Sequence, residues 1–438
     1  MSAHHRKSNA VSDLTIVGGG LIGLFTALYG VRAGYQVRVI ERSIVGSGAS
    51  RGNAGEICPS MANPMPAPGM VRTGLVNSLA KDAALRIHLP PSVALTRWLL
   101  TFARNCRPSA YEHGFEALSS LSKRSFELFK ELPDIGVATT LSRSGNLRCY
   151  ADSERAHRDF VVSQGVRRFG LAAPTAMVSG DDIRRLAPVV SEKVTAGYHW
   201  PDQWFVDPST LIDDLHAHLL ASGVQFQENT EVTSITPYSD SVVVHTDTSD
   251  QETDAVIIAA GAWSPQVLKS VGIRVPIQSG KGYSFSVTPE TMPTHVINMP
   301  ESNAVATPMG TRLRIGGTVE FDGTMDQFNA SRIERIIRAA KPYLTGIDWD
   351  ARTEEWVGPR PMTPDGLPLI GRAKASSRVV LAAGHNMLGL TLGPASAELA
   401  IAAIGELELP RWSTPFDANR FGHKRVSASL APNPVASQ

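Results

Sequence analysis

The chain has 438 residues, a length that at roughly 150 residues per unit points to at least two closely associated domains. Lys+Arg 42 against Asp+Glu 41 leaves a net charge of +1, so no basic field is available to hold a phosphate backbone, and nucleic-acid binding is disfavoured. Hydrophobic residues at 42% and charged residues at 19% give the composition of an ordinary globular chain with material for a large core.

At the amino end, residues 1–13 (MSAHHRKSNAVSD) carry basic residues with no apolar run after them, so no secretory signal is expected and the cytoplasm is the expected location. Residues 14–17 (LTIV) form a short strand that runs into three glycines. A helical pattern over 21–33 then stops at Gly34, and 36–40 (QVRVI) returns to strand character before Glu41. Such a β-α-β unit opens a doubly wound parallel sheet. From Arg42 to Gly74 the chain is rich in Gly, Ser, Asn and Pro, and a loop so long and so broken is usually functional.

Helical patterns cover 92–105 and 111–131. The first has an apolar face of Val93, Leu95, Trp98, Leu99 and Phe102 beside Arg97 and Arg104; packing on the body of the protein is its expected role, with peripheral contact at the inner face of the cytoplasmic membrane as the alternative. A helix over 209–222 leads to strands VQF, EVTSI and SVVVHT, and 254–264 (DAVIIAAGAWS) is a buried strand entering a glycine turn. Strands at 281–287 and 311–319 and a helix at 333–340 follow. Residues 379–397 lack Asp, Glu, Lys and Arg, but the glycines, His385, Asn386 and Pro394 inside them predict strand, loop and buried helix instead of a membrane span. The last dozen residues look disordered. Cys58, Cys106 and Cys149 lie too far apart in sequence for a CxxC clip or a disulfide framework, and no metal site is expected.

Gly18, Gly20 and Gly23 form G-x-G-x-x-G after a strand and at the mouth of a helix, with Glu41 closing the next strand. A side chain in that turn would block a pyrophosphate from the helix N–H groups, and Glu41 is placed to accept hydrogen bonds from a ribose. The motif points to a dinucleotide without separating NAD from FAD. Paired carboxylates of the glycosidase kind, a G-x-S-x-G elbow and an H-x-x-x-H pair are all missing from the sequence.

Five ordered segments, VGGGLIGL, GSGASRGNAGEI, DAVIIAAGAWS, GPRPMTPDGLPLIG and GHNMLGLTLGPASAELA, together resemble the D-amino acid oxidase family of FAD-dependent oxidoreductases, in particular its bacterial D-amino acid dehydrogenase branch. The resemblance spans residues 12–410. It implies non-covalent FAD and an α/β fold: a Rossmann-like FAD-binding domain with an inserted α+β substrate domain of mixed sheet. The expected boundaries are 1–85, 195–275 and 358–415 for the FAD-binding domain, 86–194 and 276–357 for the substrate domain, and 416–438 for a tail.

Residue by residue, the first turn contributes Gly18, Gly20, Leu21, Ile22 and Gly23, followed by Glu41 and Arg42. Small residues Gly48, Ala49 and Ser50 let backbone approach the cofactor, and Asn53, Ala54 and Gly55 run beside a planar ring. Val232 meets the adenine, Ala260 and Gly261 follow the buried strand, and Gly384, Asn386, Met387, Leu388, Gly389, Leu390 and Thr391 line the flavin, with a helix N-terminus facing its anionic edge. Arg360 of the R-P element is expected to hold a substrate carboxylate bidentately, its competing role being a salt bridge to Asp365. Tyr283 and, more modestly, Lys281 are candidates for the floor of the chamber, and His385 for a direct chemical role.

The implied reaction is oxidation of a D-amino acid to its imino acid by hydride transfer from Cα to flavin N5, then hydrolysis to a 2-oxo acid and ammonium. A secondary-amine substrate such as D-hydroxyproline, sarcosine or a glycine-type donor is the alternative. The expected partners are the small-molecule amine and an electron acceptor, a quinone or other carrier, with oxygen as the competing acceptor.

Overall fold

The structure, a computed structural model, describes residues 11–71, 74 and 83–422. Residues 1–10 and the last dozen residues lie outside these.

The amino-terminal strand Asp13–Val17 sits inside a six-stranded sheet ordered Leu369–Ala373, Ser376–Ala383, Ala255–Ile258, Asp13–Val17, Gln36–Ile40, Gln225–Gln227. All neighbours are parallel except the Leu369–Ala373 edge. Parallel strands need crossover connections and cover on both faces, which is why LTIV, AVII and VVLAA read as unbroken apolar runs. On one face pack helices Leu21–Arg32, Gly389–Ile404, Pro208–Ala221 and Pro108–Glu131, through residues such as Leu24, Leu215, Leu121 and Leu399. On the other lie the antiparallel meander Val232–Pro237, Val242–Thr246, Asp250–Thr253 and the short helix Ser264–Lys269.

A second, mixed sheet has nine strands in the order Thr353–Met362, Gln278–Val287, Arg312–Phe321, Ala304–Met309, Val296–Met299, Asn146–Tyr150, Ala196–Trp200, Met177–Ser179, with Leu85–Ile87 beside Arg312–Phe321. Helix Ala330–Ala340 buries Ile333, Ile336 and Ile337 against Phe285, Val287 and Ile315 on one side of it. Two sequence expectations shift here. Ala196–Trp200 pairs with Asn146–Tyr150, so this strand, placed by the expected boundary at 195 with the cofactor sheet, belongs to the mixed one. Thr353–Met362 pairs with Gln278–Val287 as far as Met362, which puts Arg360 on the mixed sheet, past the expected boundary at 358.

The glycine-rich loop is less irregular than its composition implies, because Glu56–Ile57 pairs with Trp204–Phe205 and Pro59–Met61 makes one helical turn. Helix Val93–Asn105 packs as expected: Leu95, Trp98 and Phe102 are buried beside Phe321 and Met362, and the Trp98 indole donates to the Met362 carbonyl at 3.0 Å. Val93, expected on the same face, is instead exposed, as is Leu100. Residues 379–397 divide into strand, turn and helix, and among the described residues no helix is long and apolar enough to cross a membrane.

Candidate cofactor and substrate site

One cavity of about 670 Å³ is walled by both sheets and by segments distant in sequence, within the usual range for a small-molecule site. At one end it is bounded by the first glycine turn. Gly18 takes φ +110°, and a Cβ there would meet the Ala259 carbonyl oxygen at 2.6 Å; a Cβ on Gly23 would overlap the Gly18 carbonyl. Gly18 thus serves the close approach of backbone at the cavity, whereas Gly23, which does not line it, lets helix Leu21–Arg32 lie against the first strand.

Glu41 lines the cavity, but its carboxylate also braces the turn: Oε2 accepts from Gly19 N–H at 2.7 Å and Oε1 from Ser43 N–H at 3.0 Å. Each oxygen keeps a lone pair for a ribose hydroxyl. Ser50 Oγ accepts from Leu21 N–H at 3.1 Å, tying the glycine-rich loop to the helix start. Arg42 stacks on Trp263, 3.8 Å from the ring centroid, and reaches Asp326 at 2.9 Å. In the same loop, Asn53 donates to the Ser50 carbonyl and accepts from Gly55 N–H, while Ser284 Oγ of the mixed sheet donates to the Gly52 carbonyl at 2.7 Å. The loop is therefore held between the two sheets.

Gly18, Gly20, Leu21, Ile22, Glu41, Arg42, Gly48, Ala49, Ser50, Asn53, Ala54, Gly55, Val232, Ala260, Gly261, Asn386, Met387, Gly389 and Leu390 all border this cavity, as do Arg360, Tyr283 and His385. Gly23, Gly384, Leu388 and Thr391 do not. Gly384, at φ +79°, turns the chain where a Cβ would press on Thr363, and Leu388 caps the helix Gly389–Ile404. Thr391 Oγ1 accepts from Cys58 N–H at 3.1 Å and donates to the Glu56 carbonyl at 3.2 Å, so it fastens the loop to the helix. Asn386 clamps its turn to the arginine-bearing strand: its backbone N–H donates to the Pro361 carbonyl, its Oδ1 accepts from Thr363 N–H, and its Nδ2 donates to the Gly384 carbonyl.

Arg360 is half-buried, and desolvation lowers its pKa to about 10. Its Nη1 donates to the Thr318 carbonyl at 2.9 Å, and it lies flat on Gly282, where a Cβ would overlap the guanidinium. No carboxylate pairs with Arg360 among the described residues. The Asp365 alternative is closed, because Arg420 already holds that carboxylate bidentately at 2.7 and 2.9 Å. Thr318 itself has φ +65°, a strained conformation for a β-branched residue, which aims its carbonyl at the guanidinium.

Two candidates of the chamber floor turn away. Tyr283 borders the cavity, but its hydroxyl donates to buried Glu320 at 2.6 Å and its ring packs in the helix-covered core of the mixed sheet. Burial and that carboxylate push the phenol pKa up, so it stays a neutral donor to Glu320. Lys281 is fully buried, with Nζ on Asp322 at 2.5 Å, Thr324 at 3.0 Å and the Gln327 carbonyl at 2.8 Å. Strand alternation puts Tyr283 and Phe285 in the helix-covered core, while Lys281 turns its Nζ to the segment before the helix, a polarity that pattern alone did not reveal.

His385 Nε2 lies 2.9 Å from Ser396 Oγ, its Nδ1 is buried with no hydrogen-bond partner among the described residues, and burial lowers its pKa to about 3. The ring is neutral at ordinary pH. Residues missed from sequence include Gly52, Glu56, Arg148, Thr318 and Trp356. Arg148 left a signal, a charge inside the apolar strand NLRCY; Thr318 left none, since its strain is set by the fold.

A turn of glycines at a helix start, an acid at the end of the neighbouring strand and a second helix start at Gly389 define a dinucleotide-binding protein whose cofactor site opens onto a mixed-sheet chamber. The chain belongs to the FAD dependent oxidoreductase family, whose model matches residues 13–403, and FAD is accordingly its cofactor. It is 29% identical over 399 residues to a D-amino acid dehydrogenase of Cereibacter sphaeroides, covering 88% of this chain and 90% of that one. It is 28% identical over 402 residues to one of Rhodopseudomonas palustris, covering 90% and 94%. In fold it is similar to glycine oxidase from Geobacillus kaustophilus, with TM-score 0.74, 21% identity and coverage of 93% and 98%. The residues present fit FAD: the glycine turn leaves room for a pyrophosphate, Glu41 stands beside it, and the Gly389 helix start borders the same cavity.

Proposed function

We propose that this protein oxidises D-amino acids to 2-oxo acids and ammonium, holding FAD non-covalently. The observation that carries this reading is Arg360: a half-buried guanidinium on the cavity wall, without a carboxylate partner among the described residues, beside a dinucleotide site. A guanidinium without its counter-charge is costly in such a setting, and a substrate carboxylate satisfies it with two directional bonds. The names of the relatives favour the D series and the dehydrogenase type.

FAD, held by the glycine turn and Glu41, would supply the two-electron acceptor for the hydride of the substrate Cα–H. The protein's share is positioning. Arg360 fixes the carboxylate, Thr318 and Gly282 fix Arg360, and Asn386 holds the turn carrying His385 against the same strand. Neutral His385 places no positive charge near the substrate amine. The imine left behind adds water and its C–N bond breaks, releasing ammonium.

Arg360→Ala tests the assignment. Retained FAD together with a loss of discrimination between an amino acid and its decarboxylated amine is expected. A variant that keeps its flavin and discriminates as the wild type does would place the carboxylate elsewhere.

A further inference from the structure

Next to Arg360 the cavity wall is apolar. The guanidinium is held at the Thr318 carbonyl, and the residue that follows, Val319, lines the cavity together with its strand partner Leu85 and with Met65 and Met70. All four are half-buried, packing on a buried cluster of Trp98, Phe102, Phe321 and Met362 while bordering the cavity. Val319 N–H donates to the Ala84 carbonyl at 2.8 Å, and Arg332 Nη2 donates to the Ala83 and Ala84 carbonyls at 3.0 and 3.1 Å, which fixes Leu85 beside Val319. Met65 is seated against the turn that follows the arginine strand, where a Cβ on Gly366 would meet its backbone N at 2.9 Å.

The charged groups of the cavity lie elsewhere. Among the described residues that border it, Glu41, Arg42 and Glu231 stand at the dinucleotide end, and Glu56 and Arg148 stand at the far side of the mixed sheet, where Glu56 accepts from Asn146 Nδ2 at 2.7 Å. Strand Asn146–Tyr150 is three places from Arg312–Phe321, about 14 Å in the pairing direction alone, which puts both beyond a substrate gripped by Arg360. Leu85 is one strand spacing from Val319, about 5 Å, so a substrate side chain of three or four carbons reaches this wall.

From this placement we infer that Val319, Leu85, Met65 and Met70 form the specificity-determining surface for the substrate side chain, and that it selects amino acids whose side chain is long, uncharged and apolar. The inference rests on the amino-acid reading above. Each methylene covered by such a wall adds to binding, whereas an ammonium or carboxylate placed there loses its water without gaining a partner. The two methionines are flexible and polarizable, so they close on a slender chain that a rigid wall would leave loose. A glycine-type donor leaves the whole surface uncovered.

The experiment is anaerobic flavin reduction of the FAD-loaded full chain by glycine, D-alanine, D-norleucine and D-lysine at pH 8, in wild type, Leu85→Asp and Val319→Thr. The wild type should reduce with D-norleucine at least about tenfold more efficiently than with glycine, D-alanine or D-lysine, the scale of one or two methylenes in an apolar pocket. Leu85→Asp should bring the ratio of D-norleucine to D-lysine to within about twofold or invert it, because the new carboxylate pairs with the ammonium. Val319→Thr, which keeps the shape and adds a hydroxyl, should slow reduction by D-norleucine at least about threefold and leave D-alanine unchanged. Should Leu85→Asp lose its flavin, Val319→Thr decides alone. A wild type without a preference for D-norleucine, or ratios unchanged in the flavin-loaded variants, overturns the inference while leaving amino-acid oxidation intact. A flavin reduced by no amino acid at all overturns both.

Discussion

Arg360→Lys keeps the positive charge and loses the planar fork, which should cost about 1.5 to 3 kcal/mol, a tenfold to hundredfold fall in kcat/KM with FAD content unchanged. Steady-state kinetics beside flavin quantification checks this. Two further residues give opposite pH signatures in stability. The His385 pKa is depressed to about 3 by burial, so the unfolded chain gains a proton before the folded one, and the stability present above pH 6.5 is lost as the pH falls toward 3. Glu56 works the other way. Its pKa is raised from 4.5 to about 7, so between those values the unfolded chain sheds a proton that the folded one keeps, and stability falls as the pH rises. Glu56→Gln should therefore be more stable than wild type above pH 7 and lose that advantage near pH 4. Urea unfolding at three pH values measures it; an advantage independent of pH would remove the buried carboxyl as its cause.

At the scale of elements, glycines set how closely strands, helices and side chains approach. A Cβ on Gly23 would overlap the Gly18 carbonyl, and Gly23→Ala should push helix Leu21–Arg32 off the first strand, lowering thermal stability and FAD retention together, with an overpacking cost of about 1 to 3 kcal/mol. Gly282→Ala instead strikes the Arg360 guanidinium, so KM for substrate should rise while FAD stays bound. The first of these contacts was legible in the sequence, because G-x-G-x-x-G between strand and helix is a local pattern with a local cause. So was the packed face of Val93–Asn105, through Leu95, Trp98 and Phe102. Gly282, Thr318 and Glu56 were not, since their roles depend on which strands of the mixed sheet become neighbours. Tyr283 shows the same limit: its strand was recognisable, but the face it presents is fixed by the helix Ala330–Ala340 packed behind it.

Across the whole molecule, the cavity joins the amino-terminal turn, the glycine-rich loop, the mixed-sheet floor and the turn before Gly389, so cofactor binding and folding are coupled. Removing FAD should lower Tm, and restoring it at 1,000 times its Kd should return about 4 kcal/mol; a Tm indifferent to FAD would show that the cavity stands without it. The central claim is that Arg360 and the dinucleotide site together make an amino-acid oxidising centre. Its most direct test is anaerobic titration of the purified protein with paired D- and L-amino acids, N-alkyl amino acids and the corresponding decarboxylated amines, followed by the flavin absorbance. Bleaching by D-amino acids, with 2-oxo acid and ammonium formed in equal amounts, is the predicted result. A flavin that stays oxidised with every amino acid, or that is bleached equally by the decarboxylated amines, would contradict it.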